Sequence, residues 1–167
     1  MQKLKVVRTG RVEEPEVRYN NPCQICDRFS REMMALDREH FIVLHLDGKN
    51  RIIARETVSV GSQNQSIVHP REVFKAAVLN GSASVIFIHN HPAGDPMPSG
   101  EDKSITTRLQ AAGDILGIKI LDHIIIGDRL GYSMLTDTLM YSARGGFVLP
   151  PNPRRKTAKR SAAAPEP

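Results

Sequence analysis

The 167-residue chain is 40% hydrophobic and 25% charged, a balance that suits one globular domain with its own core. No apolar run approaches the roughly 18 residues that cross a bilayer, and the start MQKLKVVRTG lacks the apolar stretch of a secretory signal, so no membrane partner is expected and the cytoplasm is the expected location. The net charge is +5, but Arg154, Arg155, Lys156, Lys159 and Arg160 against Glu166 place +4 of it in the last 18 residues, which leaves a nearly neutral body.

Residues 1–21 mix Leu4, Val6 and Val7 with charges and Pro15 and read as an N-terminal arm or edge strand. NNPCQICDRFSREMMALD then predicts a helix, with Asn21 as N-cap, Pro22 in the first turn, and Ile25, Phe29, Met33 and Leu36 at helical spacing. Its Cys23 and Cys26 are too few and too close for a disulfide framework and read as reduced thiols. HFIVLHLDGKNRIIARETVSV predicts a hairpin: a strand from Phe41 to Leu46, a turn on Asp47 to Asn50, and a strand from Arg51 to Val60.

HPREVFKAAVLNG predicts a second helix, with Pro70 early, Gly81 just past the end, and Val73, Phe74, Ala77 and Val78 as its inner face. SVIFI is apolar on both sides, as central strands are. Residues 101–116 predict a third helix with Ile105, Leu109, Ala112 and Leu116 on one stripe, and IKILDHIIIGD and GYSMLTD add two further strands. The expected order is α-β-β-α-β-α-β-β, an α/β fold with a mixed sheet flanked by helices over residues 22–149. Residues 150–167, rich in Pro, Ala and basic side chains, read as a disordered tail that either solubilises the chain or touches nucleic acid weakly through counterion release.

The informative stretch is SVIFIHNHPAGDPMPSGED, residues 84–102. Side chains at i and i+2 of a strand point to the same side, so His89 and His91 face one way where the strand ends. Two imidazoles suit a divalent metal, but a catalytic zinc site needs a third protein ligand and an open position for water. Asp102 is the natural third. Prolines and glycines in PAGDPMPSG make a stiff return rather than a floppy one, and Ser99 fits as N-cap of the next helix with Asp102 at its third position. That capping explains both residues structurally, and it also aims Asp102 at the histidines. A base beside the metal is still needed, and spacing alone does not choose it.

His89-x-His91, seven intervening residues, Ser99, two more and Asp102 together resemble the JAMM motif of the MPN (JAB-like) metallopeptidases. The wider text, from DREHFIVLHLDGKNRIIARETVSVGS through HPREVFKAAV and HNHPAGDPMPSGED to LGIKILDHIIIGD, resembles the RadC family of bacterial proteins over about residues 22–137. The resemblance implies an MPN/JAB-like fold of cytidine-deaminase-like architecture. It also implies one zinc ion per chain held by His89, His91 and Asp102, with Ser99 steadying an oxyanion and a glutamate at an early strand as general base. Glu39, just before the Phe41 strand, is the matching position, and Glu56 in ARETVS is the reserve. The expected activity is that of a zinc-dependent peptidase or isopeptidase acting on a protein or peptide of unassigned identity, in an unassigned oligomeric state.

Longer members of that family carry a helix-hairpin-helix DNA-binding region ahead of the matching text, and only some 20 residues precede it here, so the family's DNA-repair label gains little from this sequence. Other readings compete. PCQIC resembles half of a zinc-deaminase signature, but the cysteines precede every candidate histidine and no His-x-Glu occurs. The letters HNH suggest a nuclease only by coincidence of adjacency. A non-catalytic MPN binding module, or a DNA-associated accessory protein, remains the alternative to an enzyme. His123 and His69 belong to the family-like text, and either can approach the pocket, but both read first as packing or capping residues; His40 and His45 carry no signal beyond their strand.

Overall fold

A computed structural model describes residues 18–61 and 68–149. The tail expected over 150–167 and the first 17 residues of the arm lie outside the described residues. The end of the arm is tied down: Arg18 bridges Arg51, and the Tyr19 amide donates to the Asn50 carbonyl at 3.0 Å.

The elements are α1 (Pro22–Met33), β1 (His40–Leu46), β2 (Ile52–Val60), α2 (Pro70–Leu79), β3 (Ser84–Asn90), α3 (Gly100–Leu116), β4 (Lys119–Gly127), β5 (Leu130–Ser133), β6 (Thr138–Ala143) and β7 (Gly146–Val148). Helix α1 starts where Asn21 caps it, through a reciprocal pair in which the Gln24 amide donates to Asn21 Oδ1 at 3.1 Å and the Asn21 amide to Gln24 Oε1 at 3.3 Å. It stops at Met33, short of Leu36, which instead packs against the core from the turn that follows.

Among the described residues the strands form one sheet in the order β2-β1-β3-β4-β5-β6-β7, with β3 and β4 parallel and every other neighbour antiparallel. This is the α/β class expected. Four strands follow α3 rather than two: TLMYSA and GFV are short, and Met140 alone among their residues is fully buried, so neither shows the alternation that announces a half-buried strand.

Alternate residues sort the two faces. Ile42, Leu44 and Leu46 of β1, Ile86 and Ile88 of β3, and Ile124 and Ile126 of β4 bury with Ile25, Phe29 and Met33 of α1. Phe41, Val43, Val85 and Phe87 bury on the other face with Val73, Phe74 and Ala77 of α2 and Leu109 of α3. His89 shares the parity of Phe87 and therefore faces α3. A register shift in β4, where Val85 pairs with Ile120 and Ile86 with Asp122, inserts one residue and flips the alternation. That shift places His123 on the α3 side together with Ile120.

Two inner faces differ from expectation. Val78 is exposed, and α3 buries Asp102, Thr106, Leu109 and Gly113 rather than a stripe ending at Leu116, which is exposed. The stripe is rotated because its first two members are polar and face the end of β3.

Candidate metal centre

His89 is the penultimate residue of β3, which is buried through Asn90, and His91 follows where Pro92 halts the strand. The loop then folds back on itself: the Gly94 amide donates to the His91 carbonyl at 2.9 Å, and the Asp128 amide donates to the Gly94 carbonyl at 2.8 Å. Gly94 adopts φ 92, open to glycine at no cost. At the end of β4, Gly127 has no side chain because a Cβ there would strike the Gly94 carbonyl and Pro96. The return ends at Ser99, the N-cap of α3. The Asp102 amide donates to Ser99 Oγ at 3.1 Å, while Ser99 N and Oγ both donate to Asp102 Oδ2, at 2.7 and 2.6 Å.

These elements bring three potential ligands together. His89, His91 and Asp102 each offer an atom within 4.8 Å of the others, and they are the group of this kind found among the described residues. His89 Nε2 lies 3.0 Å from His91 Nε2 and 3.2 Å from Asp102 Oδ1, and His91 Nε2 lies 3.6 Å from Asp102 Oδ2. Side-chain exposure is 1% for His89, 12% for Asp102 and 20% for His91, so access is from the His91 side. Phe41 covers the other side, stacked on the His89 ring at 6.1 Å.

The donor set fits a cation. His91 Nδ1 lies 2.7 Å from the Asp95 carbonyl, which has no proton to give, so His91 donates there and its Nε2 presents a lone pair to the site. Asp102 Oδ2 is occupied by Ser99, which leaves Oδ1 free. Burial opposes ionisation of Asp102, but the two imidazoles and the Ser99 hydroxyl outweigh it and hold the carboxyl well below the usual range. Burial likewise opposes charging of His91, yet Asp102, the Asp95 carbonyl and the charge of Glu39 together raise its pKa. Two nitrogens and a carboxylate, with room on one side, match the ligand number and type of a catalytic zinc site.

Glu39 precedes β1 and is half-buried, and its charge reaches His91. Its position is set from β3: the His40 amide donates to Asn90 Oδ1 at 2.8 Å, and Asn90 Nδ2 donates to the Arg38 carbonyl at 2.9 Å, one bond on each flank of Glu39. Glu56 is elsewhere. Its carboxylate faces buried His45 across 3.8 Å, and burial raises its pKa. Cys26 points into the core against Gly131, its thiol pushed far up by burial, so it is neither ligand nor nucleophile. His69 is exposed at the start of α2 and makes no side-chain cap.

A model of the RadC-like JAB domain matches residues 19–139. The chain belongs to that family. Its sheet and three helices have the MPN/JAB-like architecture that the membership entails. Related chains include UPF0758 proteins of Trichlorobacter lovleyi (57% identical over 123 residues, 74% of this chain and 54% of that protein), Pelobacter propionicus (60% over 119 residues, 71% and 52%) and Methanosarcina mazei (54% over 117 residues, 70% and 51%). This RadC-like JAB chain spans about half the length of the curated relatives it matches. No helix among its described residues is long and apolar enough to cross a membrane.

Sequence reasoning passed over two residues of this RadC-like JAB site and gave the pocket reading of a third the lesser weight. Asn90 was legible only as the middle letter of HNH, and its partners lie 50 and 52 residues away. Thr106 carried no signal. His123 is more than a packing residue: its Nε2 lies 2.7 Å from His89 Nδ1, and its Nδ1 lies 2.6 Å from Thr106 Oγ1. The LDHIIIG text was its one clue.

Proposed function

We propose that this chain is a zinc-dependent hydrolase of amide bonds, a JAMM-type peptidase or isopeptidase whose substrate is a protein or peptide. The observation that carries the reading is the convergence of His89 Nε2, His91 Nε2 and Asp102 Oδ1 at the open end of β3, beside a carboxylate, Glu39, whose charge reaches His91. His89, His91 and Asp102 would hold the ion, which when bound would acidify water and polarise a carbonyl. Glu39 accepts the proton of the attacking water and returns it to the leaving amine. Ser99, exposed at the rim, turns its hydroxyl proton from Asp102 toward the oxyanion that forms. Phe41 and the buried wall behind His89 keep bulk water from the inner side, and the substrate enters over His91.

Metal analysis tests the ligands. The purified chain should carry about one zinc, lost in His89→Ala and in Asp102→Ala; zinc retained by both variants would overturn the site. Hydrolysis of peptide and isopeptide substrates tests the chemistry. Glu39→Gln should keep the metal and slow turnover by about 100-fold or more, and undiminished turnover removes Glu39 from the role of base.

A further inference from the structure

We propose that Thr106 and His123 are positioning residues for His89: the Thr106 hydroxyl, anchored on the Asp102 carbonyl, holds His123 as its Nδ1–H tautomer, and His123 in turn holds His89 as its Nδ1–H tautomer, leaving His89 Nε2 a lone pair aimed at the ion. The inference rests on the reading of His89 as a metal ligand.

The direction of each hydrogen bond follows from where protons exist. Thr106 Oγ1 lies 2.6 Å from the Asp102 carbonyl oxygen. Two oxygens that close need a proton between them, and a carbonyl has none, so Thr106 donates. Its one proton is then spent, and the Met134 sulfur at 3.5 Å is a far weaker claimant. At 2.6 Å from His123 Nδ1 the same hydroxyl can therefore only accept, which puts a proton on that nitrogen. The His123 ring is fully buried and hydrogen-bonds to no carboxylate, the neighbouring Asp122 taking only the backbone amide, so the ring carries one proton rather than two, and its Nε2 is an acceptor. His89 Nδ1, 2.7 Å away, must donate to it. The proton of His89 is thereby committed to the side away from the site. The opposite polarity fails at the first link, because it would leave Thr106 Oγ1 and the Asp102 oxygen in contact with no proton between them.

One turn of α3 thus serves the site twice, through the carboxylate of Asp102 toward the cation and its carbonyl, by way of Thr106 four residues on, toward the tautomer of a second ligand. A histidine ligand whose remote nitrogen is fixed in this way binds more tightly, and loss of the fixing partner typically costs 10–100-fold in affinity.

Competition for zinc against a chromophoric chelator tests the relay in the full chain. Thr106→Val, which keeps the shape and removes the hydroxyl, should weaken zinc binding by about 10-fold or more; Thr106→Ser, which restores the hydroxyl, should lie within about threefold of the parent, a rescue that loss of packing does not produce. Parent and Thr106→Val chains binding zinc equally well would overturn the relay while leaving the metal site standing. A parent chain that takes up no zinc overturns both. Independently of any variant, ¹⁵N resonances of the zinc-loaded parent should show His89 and His123 each protonated at Nδ1, and a His123 protonated at Nε2 would overturn the relay.

Discussion

Asn90 separates two imidazoles in the sequence and does different work from either. Its amide side chain is fully buried and closes both backbone groups that flank Glu39, so the end of β3 supplies at once two of the proposed ligands and the clamp for the carboxylate beside them. Replacing it with leucine leaves the Arg38 carbonyl and the His40 amide without that partner, at a cost of about 1–3 kcal/mol for each group that stays dry. Asn90→Leu is therefore expected to lower the urea midpoint clearly while zinc content stays at the parental level; an unchanged midpoint would show that water replaces the clamp. The three proposed ligands could be read from the sequence because they follow local rules: alternation for His89 and His91, helix capping for Asp102. Asn90, Thr106 and His123 act on partners that only the folded chain brings near, so no spacing rule marks them.

Elements were legible in proportion to how strictly their residues obey one period. Strands β1 and β3, buried on both sides, and α1, with a capped start, stand close to their expected bounds. Helix α3 was placed correctly but rotated, since its inward face begins with Asp102 and Thr106, and a rule that counts apolar residues turns such a helix by the width of its functional face. The return loop was read as stiff from its prolines and glycines, yet what fixes it is its contact with β4. Gly94 and Pro96 lie against Gly127 so closely that a methyl group there displaces backbone. Gly127→Ala is expected to destabilise the fold by about 1–3 kcal/mol, the usual range for overpacking. Because the same loop carries the Asp95 carbonyl that orients His91, zinc affinity should fall as well. Parallel thermal melts and chelator titrations check the pair, and a variant that loses stability with full zinc affinity would uncouple loop position from ligand orientation.

At the scale of the whole molecule, the sheet is covered on both faces by apolar clusters, one built with α1 and one with α2 and α3, and neither includes the three ligands. The chain should therefore fold cooperatively without metal, unlike small domains that are unfolded until zinc binds. Zinc then adds stability by mass action: at ~100 times its Kd it contributes about 2.7 kcal/mol, roughly 5–10 °C in melting temperature for a chain of this size. The sign of the pH dependence follows from His91. Its pKa lies above the ordinary 6.5 in the folded, metal-free chain, despite burial, because Asp102, the Asp95 carbonyl and Glu39 favour the protonated ring. That protonation stabilises the metal-free fold fully below 6.5, and the stabilisation is lost as pH rises through the folded value. Zinc needs the same nitrogen bare. The melting increment produced by zinc should accordingly be small under mildly acidic conditions and grow as pH rises past the His91 value, while metal-free stability declines over the same interval. Melts with zinc and with a chelator across that range test the linkage: an increment flat in pH would mean that zinc displaces no proton from His91, and the ligand assignment of that residue would fall.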